Sequence, residues 1–270
     1  MKHLLISSIL LCLFILASAQ QQRTGQTGQT GQALQQRPVD PNRMTPGMTE
    51  IMEPKVPVIQ PGARVGMPPS DAIILFDGTG VDKEWTDRAG NPTKWIVKDG
   101  ELVCVKGSGI IKTKRKFNDF QLHVEWKTPA EVIGDGQGRG NSGVYLQELY
   151  EVQVLDSYEN ETYPQGQAGS LYKQYAPLVN ACRKPGEWQT YDIIYTAPRW
   201  YENDSTKYFT PPRVTVIQNG VLIQNNVNLR GPTLYIGIPE YSIKKHGPMS
   251  LVLQDHGNPV AYRNIWIREL

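Results

Sequence analysis

The sequence is poor in cysteine and histidine: its 270 residues contain three cysteines and four histidines. So few thiols exclude a disulfide-rich scaffold, and the absence of paired-Cys or His-x-x-x-His spacing leaves a zinc site without a local signature. Cys12 lies in an N-terminal apolar run, so only Cys104 and Cys182 remain as a disulfide pair. Whether those two approach each other is not readable from sequence, and the pairing stays open.

The chain also lacks an excess of charge of either sign. Lys and Arg total 28 and Asp and Glu total 26, which gives a formal net charge of +2 without a basic stripe. Electrostatic attraction to a polyanion is then weak, so no nucleic acid and no anionic membrane is predicted as a partner. No apolar run beyond the N-terminus approaches the roughly 20 residues of a membrane span, and no transmembrane segment is predicted.

Residues 1–19 have the pattern of a secretory signal peptide. A basic start at Lys2 precedes the apolar run of residues 4–16, and small residues supply a cleavage site before Gln20. We therefore expect the protein in the periplasm or outside the cell. A lipid anchor on Cys12 is the less favoured alternative, because bulky Leu11 precedes it where a small residue is wanted.

Residues 20–70 have the composition of a disordered linker. They open with a Gln/Gly/Thr tract that holds three tandem Thr-Gly-Gln units over residues 24–32, and they continue into a proline-rich stretch. Such a segment buries too little apolar surface to offset the entropy of ordering it, so we expect a flexible tether.

Residues 71–270 have the pattern of one all-β domain. Short runs of alternating apolar and polar residues recur with frequent turn signals, and no amphipathic helix of more than three turns is predicted. Asp99-Gly100 and Asn219-Gly220 are the strongest hairpin signals, because a type I′ turn needs positive φ at both central residues. Many short strands at this spacing predict a two-sheet β-sandwich of jelly-roll type.

Three predicted strands carry unusual polar residues beside their core-facing ones. Solvated polar faces are common in antiparallel sheets, but Glu, Gln and His on three strands predict a concave face that binds a ligand. The residues are Glu125 in the stretch 120–127, Glu151 and Gln153 in the stretch 150–155, and Gln254 and His256 in the stretch 251–257. Asp255 lies on the other side of that third stretch.

Residues 134–143 form a glycine-rich loop that leads into a strand rather than a helix, which disfavours a phosphate-binding loop. The loop brings Arg139 and Asn141 next to the strand that contains Tyr145. Glycines allow close backbone approach to a ligand, although a long flexible hairpin loop explains them equally well. The insertion at residues 157–188 is rich in Gly, Pro, Tyr and Asn and is suited to capping such a site.

Seven short stretches occur in an order that carries a family resemblance. They are Phe76-Asp77-Gly78, Trp95 with Asp99-Gly100, residues 120–126, residues 140–145, residues 151–156, Pro185-Gly186-Glu187-Trp188 and residues 253–266. Together they resemble the 3-keto-disaccharide hydrolase (3-keto-glycoside lyase/hydratase) domain family over residues 71–270. The resemblance implies a concanavalin-like jelly roll and action on glycosides whose C3 hydroxyl has been oxidised to a ketone.

Such a substrate defines the groups that the site needs. A C3 ketone acidifies the hydrogen at C2, so cleavage needs a base at C2, a donor for the enolate oxygen and an acid for the leaving oxygen. Side-chain chemistry predicts His256 as the base, Arg139 or Asn141 as the donor, and Glu125 or Glu151 as the acid. The predicted substrate-binding residues are Arg139, Asn141, Tyr145, Gln153, Gln254 and Asp255.

No cofactor is assigned from the sequence, and a divalent metal ion stays open. Glu125, Glu151 and His256 are its candidate ligands, and the cation would replace the donors as a Lewis acid.

The predicted partner is an oligosaccharide or glycoside. Two other functions that use such a partner remain open. An ordinary jelly-roll glycosidase presents paired carboxylates on one strand face, but Glu148 and Glu151 are three residues apart and face opposite ways. A lectin-like carbohydrate-binding module needs the same concave face without a base.

Overall fold

A computed structural model describes residues 45–238, residue 240 and residues 244–270. The predicted signal peptide and the Gln/Gly/Thr tract lie outside the described residues. The described residues fall into two units, of which the first ends at Val56 and the second runs from Pro57 to Leu270. In the first unit, the described residues contain one short 3₁₀ turn, Pro46–Met48. The second unit contains every strand named below.

Within the described residues, the second unit contains fifteen β-strands and no α-helix. The strands are β1 (Ile73–Phe76), β2 (Trp85–Asp87), β3 (Ile96–Lys98), β4 (Glu101–Val103), β5 (Ile111–Thr113), β6 (Phe120–Lys127), β7 (Ser142–Leu146), β8 (Tyr150–Val154), β9 (Gln189–Thr196), β10 (Arg199–Tyr201), β11 (Asp204–Thr210), β12 (Arg213–Gln218), β13 (Val221–Asn228), β14 (Val252–Leu253) and β15 (Ala261–Glu269).

The strands form two main antiparallel sheets. The eight-stranded sheet has the order β13-β12-β9-β6-β15-β4-β3, and β1 also pairs with β15. The five-stranded sheet has the order β2-β5-β14-β7-β8, and β10 and β11 form a separate hairpin. Because neighbours in each sheet are often distant in sequence, the chain crosses repeatedly between sheets, as a sandwich requires.

One apolar cluster joins the inner faces of the two sheets. Alternation along each strand turns every second side chain inward, so large apolar groups from both sheets leave water together. The contributors from β6 and β8 are Phe120, Leu122, Val124, Trp126, Tyr150, Val152 and Val154, each at most 1 % exposed. The predicted all-β jelly-roll sandwich of concanavalin type is confirmed.

Both predicted hairpin turns are present. Asp99 and Gly100 have φ of 53° and 76°, and Asn219 and Gly220 have φ of 52° and 81°. These are the left-handed conformations that a type I′ turn requires.

Two further observations concern cysteines and membrane spans. Cys104 is buried and Cys182 is half-buried, and both are free thiols rather than a disulfide.

In the described part of the chain, no helical segment has the length and apolar character needed to cross a bilayer.

Residues 57–70, which composition assigns to the linker, pack on the eight-stranded sheet, and we call them the strap. Trp266 Nε1 and Asn264 Nδ2 both donate to the carbonyl of Gly66, at 3.0 and 2.8 Å. A Cβ added to Gly66 would lie 3.3 Å from Cε1 of His123. His123, which alternation places on a solvated face, is therefore only 1 % exposed.

Candidate active site

A polar cavity of about 330 Å³ opens on the face of the five-stranded sheet that points away from the core. Its lining residues are Asn141, Tyr145, Glu151, Gln153, Tyr172, Thr233, Tyr235, Gln254 and His256. Six of these belong to the predicted site set. They meet because β7, β8 and the residues after β14 are adjacent in one sheet.

Glu151 lies at the floor of this cavity and is 4 % exposed. Tyr145, its partner across β7 and β8, donates its hydroxyl to Glu151 Oε2 at 2.9 Å. Gln254 Nε2 donates in turn to the Tyr145 hydroxyl at 3.3 Å. Burial raises the pKa of Glu151 to about 7, although the Tyr145 hydrogen bond acts in the opposite direction. A carboxyl group with this pKa can both accept and donate a proton near neutral pH.

Gly143 leaves the space that the Glu151 carboxylate occupies. A Cβ added to Gly143 would lie 2.3 Å from Glu151 Oε1 and 3.0 Å from its carboxyl carbon. Any larger residue would therefore displace the carboxylate. The glycine-rich loop does permit a close approach, as its composition indicates, but here the approaching group belongs to the protein.

Two glutamine side chains present unpaired acceptors in the cavity wall. Gln153 is 1 % exposed, and its Nε2 donates to Gln137 Oε1 at 3.1 Å. Its Oε1, like that of Gln254, has no hydrogen-bond partner among the described residues. Leaving a buried acceptor unpaired costs about 1–3 kcal/mol, so both positions favour a ligand that brings hydroxyl donors.

The mouth of the cavity is aromatic and more exposed. Tyr235 is 75 % exposed, His256 is exposed, and Tyr172 is half-buried. The Tyr172 hydroxyl lies 2.7 Å from that of Tyr163, within hydrogen-bond distance. Buried polar groups thus form the floor, while aromatic and imidazole groups form the rim.

Sequence reasoning missed Thr233 and Tyr235, which lie in the loop between β13 and β14. The only available signal was a tyrosine within an apolar run, residues 234–238, that lacks the alternation of a strand. Tyr172, by contrast, lies in the insertion that the sequence predicts as a cap.

Glu125 does not line this cavity, and the prediction that it shares a face with Glu151 is wrong. β6 belongs to the eight-stranded sheet, where Glu125 borders a different cavity of about 760 Å³. Arg263 Nε and Asn264 Nδ2 donate to its carboxylate at 2.6 and 2.8 Å. Burial would raise the pKa of Glu125, but His123, Asn264 and Arg263 together lower it to about 2. A carboxylate stabilised in this way is a poor proton donor.

Arg139 was expected to contact substrate, but its guanidinium instead binds the segment that follows β8. Its Nε donates to Asp156 Oδ2 at 2.7 Å, and its Nη2 donates to the Tyr158 carbonyl at 2.9 Å. It borders a separate cavity of about 300 Å³. Its guanidinium is therefore committed to holding the chain after β8 against the loop.

Asp255 was also expected at the site and lies outside the cavity lining. Its carboxylate accepts the backbone N–H groups of Gly109 and Gly257, at 3.0 and 2.8 Å. Burial would raise its pKa, but these hydrogen bonds hold the pKa below its usual range. Asp255 therefore joins two turns, and alternation alone does not distinguish such a residue from a substrate contact.

The predicted metal-ligand set is not assembled. Glu125 lies on the other sheet, so Glu125, Glu151 and His256 do not meet. Across the described ranges, no three His, Cys, Asp or Glu side chains are grouped closely enough to hold a metal ion.

Solved structures include clear relatives of this chain. A crystal structure of a proposed glycosyl hydrolase from Parabacteroides distasonis superimposes with a TM-score of 0.79 and is 51 % identical, covering 86 % of this chain and 100 % of that one. A second from the same organism has a TM-score of 0.53 at 21 % identity, covering 74 % and 94 % of the two chains, and shows the shared fold alone.

A curated relative is the 3-keto-disaccharide hydrolase of Bacteroides thetaiotaomicron, 26 % identical over 247 residues that cover 73 % of this chain and 78 % of the relative. These relatives and the polar cavity support a glycosyl-hydrolase-like, carbohydrate-active enzyme. The family of 3-keto-alpha-glucoside-1,2-lyase-like domains matches residues 71–268, which is nearly the whole of the second unit. The chain belongs to that family.

Proposed function

We propose that this protein is an exported enzyme that cleaves the glycosidic bond of 3-keto-glycosides by β-elimination. The observation that carries the proposal is Glu151, a buried carboxyl group with a pKa raised to about 7, in a cavity whose unpaired amide oxygens suit sugar hydroxyls. The family and the 3-keto-disaccharide hydrolase relative support the substrate class.

Glu151 is the base in this proposal. As a carboxylate it removes the C2 hydrogen as a proton, and the electrons of that bond form an enolate with C3. The Tyr145 hydroxyl donates to the Glu151 carboxylate before the reaction; once Glu151 has taken the C2 proton, that single O–H is released to donate to the enolate oxygen. When the enolate collapses, the C3 carbonyl reforms, a C1=C2 double bond appears and the glycosidic C1–O bond breaks.

His256 is the acid. Its imidazolium form at the mouth donates a proton to the departing oxygen, which leaves as an alcohol. Addition of water across the C1=C2 bond then makes the net reaction a hydrolysis. These roles are the reverse of those that side-chain chemistry alone predicts, because burial places Glu151 at the floor and leaves His256 exposed.

The two roles separate in deuterium oxide, where exchange at C2 and release of the alcohol are measured independently on a 3-keto-disaccharide. Glu151→Gln should lose both exchange and cleavage, by about 10²-fold or more. His256→Gln should lose cleavage to a similar extent and retain exchange. The matched control is Glu125→Gln, which removes the other candidate carboxylate and should retain turnover.

Other outcomes would identify the alternatives. Cleavage of the unoxidised disaccharide, without an isotope effect from deuterium at C2, would make the protein an ordinary glycosidase. Binding of both sugars without turnover would make it a lectin-like module. Exchange lost in His256→Gln and kept in Glu151→Gln would return the base to His256.

A further inference from the structure

The cavity changes character from floor to mouth. Asn141, Glu151 and Gln153 are 3, 4 and 1 % exposed, whereas Tyr235 is 75 % exposed. The reacting ring needs the base and the amide oxygens, so under the proposed function it occupies the floor. Whatever is attached through the glycosidic oxygen then extends towards the mouth.

The cavity has a volume of about 330 Å³, within the range of roughly 300–1,000 Å³ for small-molecule sites. With the reacting ring at the floor, a second sugar ring attached through its glycosidic oxygen lies against the rim. The aromatic residues available there are Tyr172 and Tyr235.

The loop that carries Tyr235 is fastened to the strand that carries Glu151. Thr233 Oγ1 accepts the backbone N–H of Glu151 at 2.9 Å, and the Thr233 N–H donates to the carbonyl of Leu149 at 2.8 Å. Tyr235 follows two residues later. Its position at the rim is thus tied to the position of the base.

Tyr172 is held from the same strand. Its backbone N–H donates to the Glu151 carbonyl at 3.2 Å. The ammonium of Lys173 lies 4.2 Å from the ring centre of Tyr163 and 5.8 Å from those of Tyr172 and Tyr235. A cation shared by three rings stabilises their mutual arrangement before any ligand binds.

We propose that Tyr172 and Tyr235 form a leaving-group subsite, in which the second sugar ring of a 3-keto-disaccharide lays its C–H face against Tyr235. An aromatic face gains dispersion and quadrupole attraction from polarised C–H groups, and a large ring held in place loses little entropy. This inference rests on the proposed function. It predicts a preference for disaccharides over glycosides with small leaving groups.

Two substrates with the same 3-keto-glucosyl ring test the subsite: a disaccharide and the methyl glycoside. Tyr235→Ala should lower kcat/KM for the disaccharide about three- to tenfold, the size of one aromatic contact, and leave the methyl glycoside unchanged. Tyr235→Phe keeps the aromatic face and should preserve the parent's ratio of kcat/KM between the disaccharide and the methyl glycoside. Ile236→Ala is the control, because Ile236 is 83 % exposed on the same loop and does not line the cavity.

Calorimetric binding of the same two sugars separates this proposal from the proposed function. Glu151→Gln serves as the background, so that turnover does not consume the ligand, and Tyr235→Ala should weaken only the disaccharide. Equal losses on both sugars, or none on the disaccharide, would overturn the subsite. If the parent protein turns over neither sugar, the proposed function is wrong, and the effect of Tyr235→Ala on the ratio of the two affinities decides whether the subsite exists. If neither sugar binds, both proposals are wrong.

Discussion

Glu125 and Glu151 show how surroundings decide what a carboxyl group can do. Both lie on strands and both alternate with core residues. Glu125 accepts hydrogen bonds from Arg263 and Asn264, and its pKa falls to about 2. Glu151 accepts a hydrogen bond from one tyrosine hydroxyl, which is too little to offset burial, so its pKa rises to about 7. Only Glu151 changes protonation within the range in which an enzyme works.

The pH dependence of kcat/KM should report Glu151. The base must be a carboxylate, so activity should fall about tenfold per pH unit as the pH drops below about 7. Tyr145→Phe removes the hydrogen bond that lowers this pKa, so the acid limb should move to higher pH. A pH–rate profile of both proteins measures this, and a limb near pH 4.5 would contradict the assignment.

Gly143→Ala should damage the site without unfolding the protein. The new Cβ would lie 2.3 Å from Glu151 Oε1, so the carboxylate must move by about an ångström, and such displacements cost about 10²-fold in rate. Gly138→Ala is the matched control, because it lies in the same loop with no atom within 4 Å of its added Cβ. Steady-state kinetics and thermal unfolding measure the two effects. Normal activity of Gly143→Ala would mean that the carboxylate does not need this position.

At the scale of elements, the strap converts an outward face of the eight-stranded sheet into a buried one. His123 stacks on Trp266, with ring centres 5.3 Å apart and planes 11° apart. Its Nδ1 lies 2.7 Å from Asp192 Oδ1, and its Nε2 lies 3.6 Å from Glu125 Oε1. Burial lowers the pKa of His123, but the two carboxylates outweigh burial and raise it to about 9. The imidazolium therefore joins β6 and β9 beneath the strap.

This raised pKa makes a prediction about stability. His123 should contribute its full stabilisation below pH 6.5, its ordinary pKa, and lose it as the pH rises through about 9. The loss is on the order of 3 kcal/mol at most. Urea unfolding at pH 6 and at pH 10 gives the free energy of unfolding of the parent and of His123→Gln. The difference between the two proteins should be smaller at pH 10. An equal gap between the two proteins at both pH values would contradict the ion pair.

At the scale of the whole molecule, the two outward faces of the sandwich have different tasks. The face of the eight-stranded sheet carries the strap and the paired charges beneath it. The face of the five-stranded sheet holds the cavity, beneath the loop that carries Thr233 and Tyr235 and beside the insertion that carries Tyr172. Placing the cavity on one face and the strap with its ion pairs on the other lets the site keep unpaired acceptors while the rest of the domain supplies stability.

Export is a prediction about the whole chain. If residues 1–19 act as a signal peptide, the protein recovered from a bacterial host should lie in the periplasm or medium and begin at Gln20. Intact-mass measurement checks the start of the chain, and a variant with Lys in place of Leu10 should remain inside the cell uncleaved. A lipidated product beginning at Cys12 would contradict the proposed cleavage.

Local patterns were sufficient for the fold. Alternation with period two identified the core faces of β6 and β8, and two Asx-Gly pairs located hairpin turns, because strand geometry and positive φ are properties of neighbouring residues. The family resemblance suggested the substrate class that we propose. Composition assigned the strap to the linker because it reports nothing about long-range contacts. The hydrogen bonds of Gly66 with Trp266 and Asn264 join residues about 200 positions apart.

The site likewise depends partly on local patterns and partly on long-range contacts. Alternation predicted that Glu151 and Gln153 lie on the face of β8 opposite its apolar residues, because facing is set within one strand. Gln254 and His256 follow the end of β14, so alternation alone does not set their direction. Which polar faces meet was decided by sheet order: β8 lies beside β7 and near β14, while β6 lies in the other sheet. Tertiary structure also decided that Arg139 and Asp255 are occupied by backbone and carboxylate partners, and that Tyr235 reaches the rim. Hydrogen bonding and burial depend on neighbours in space, and these determine which candidate residues remain free to react.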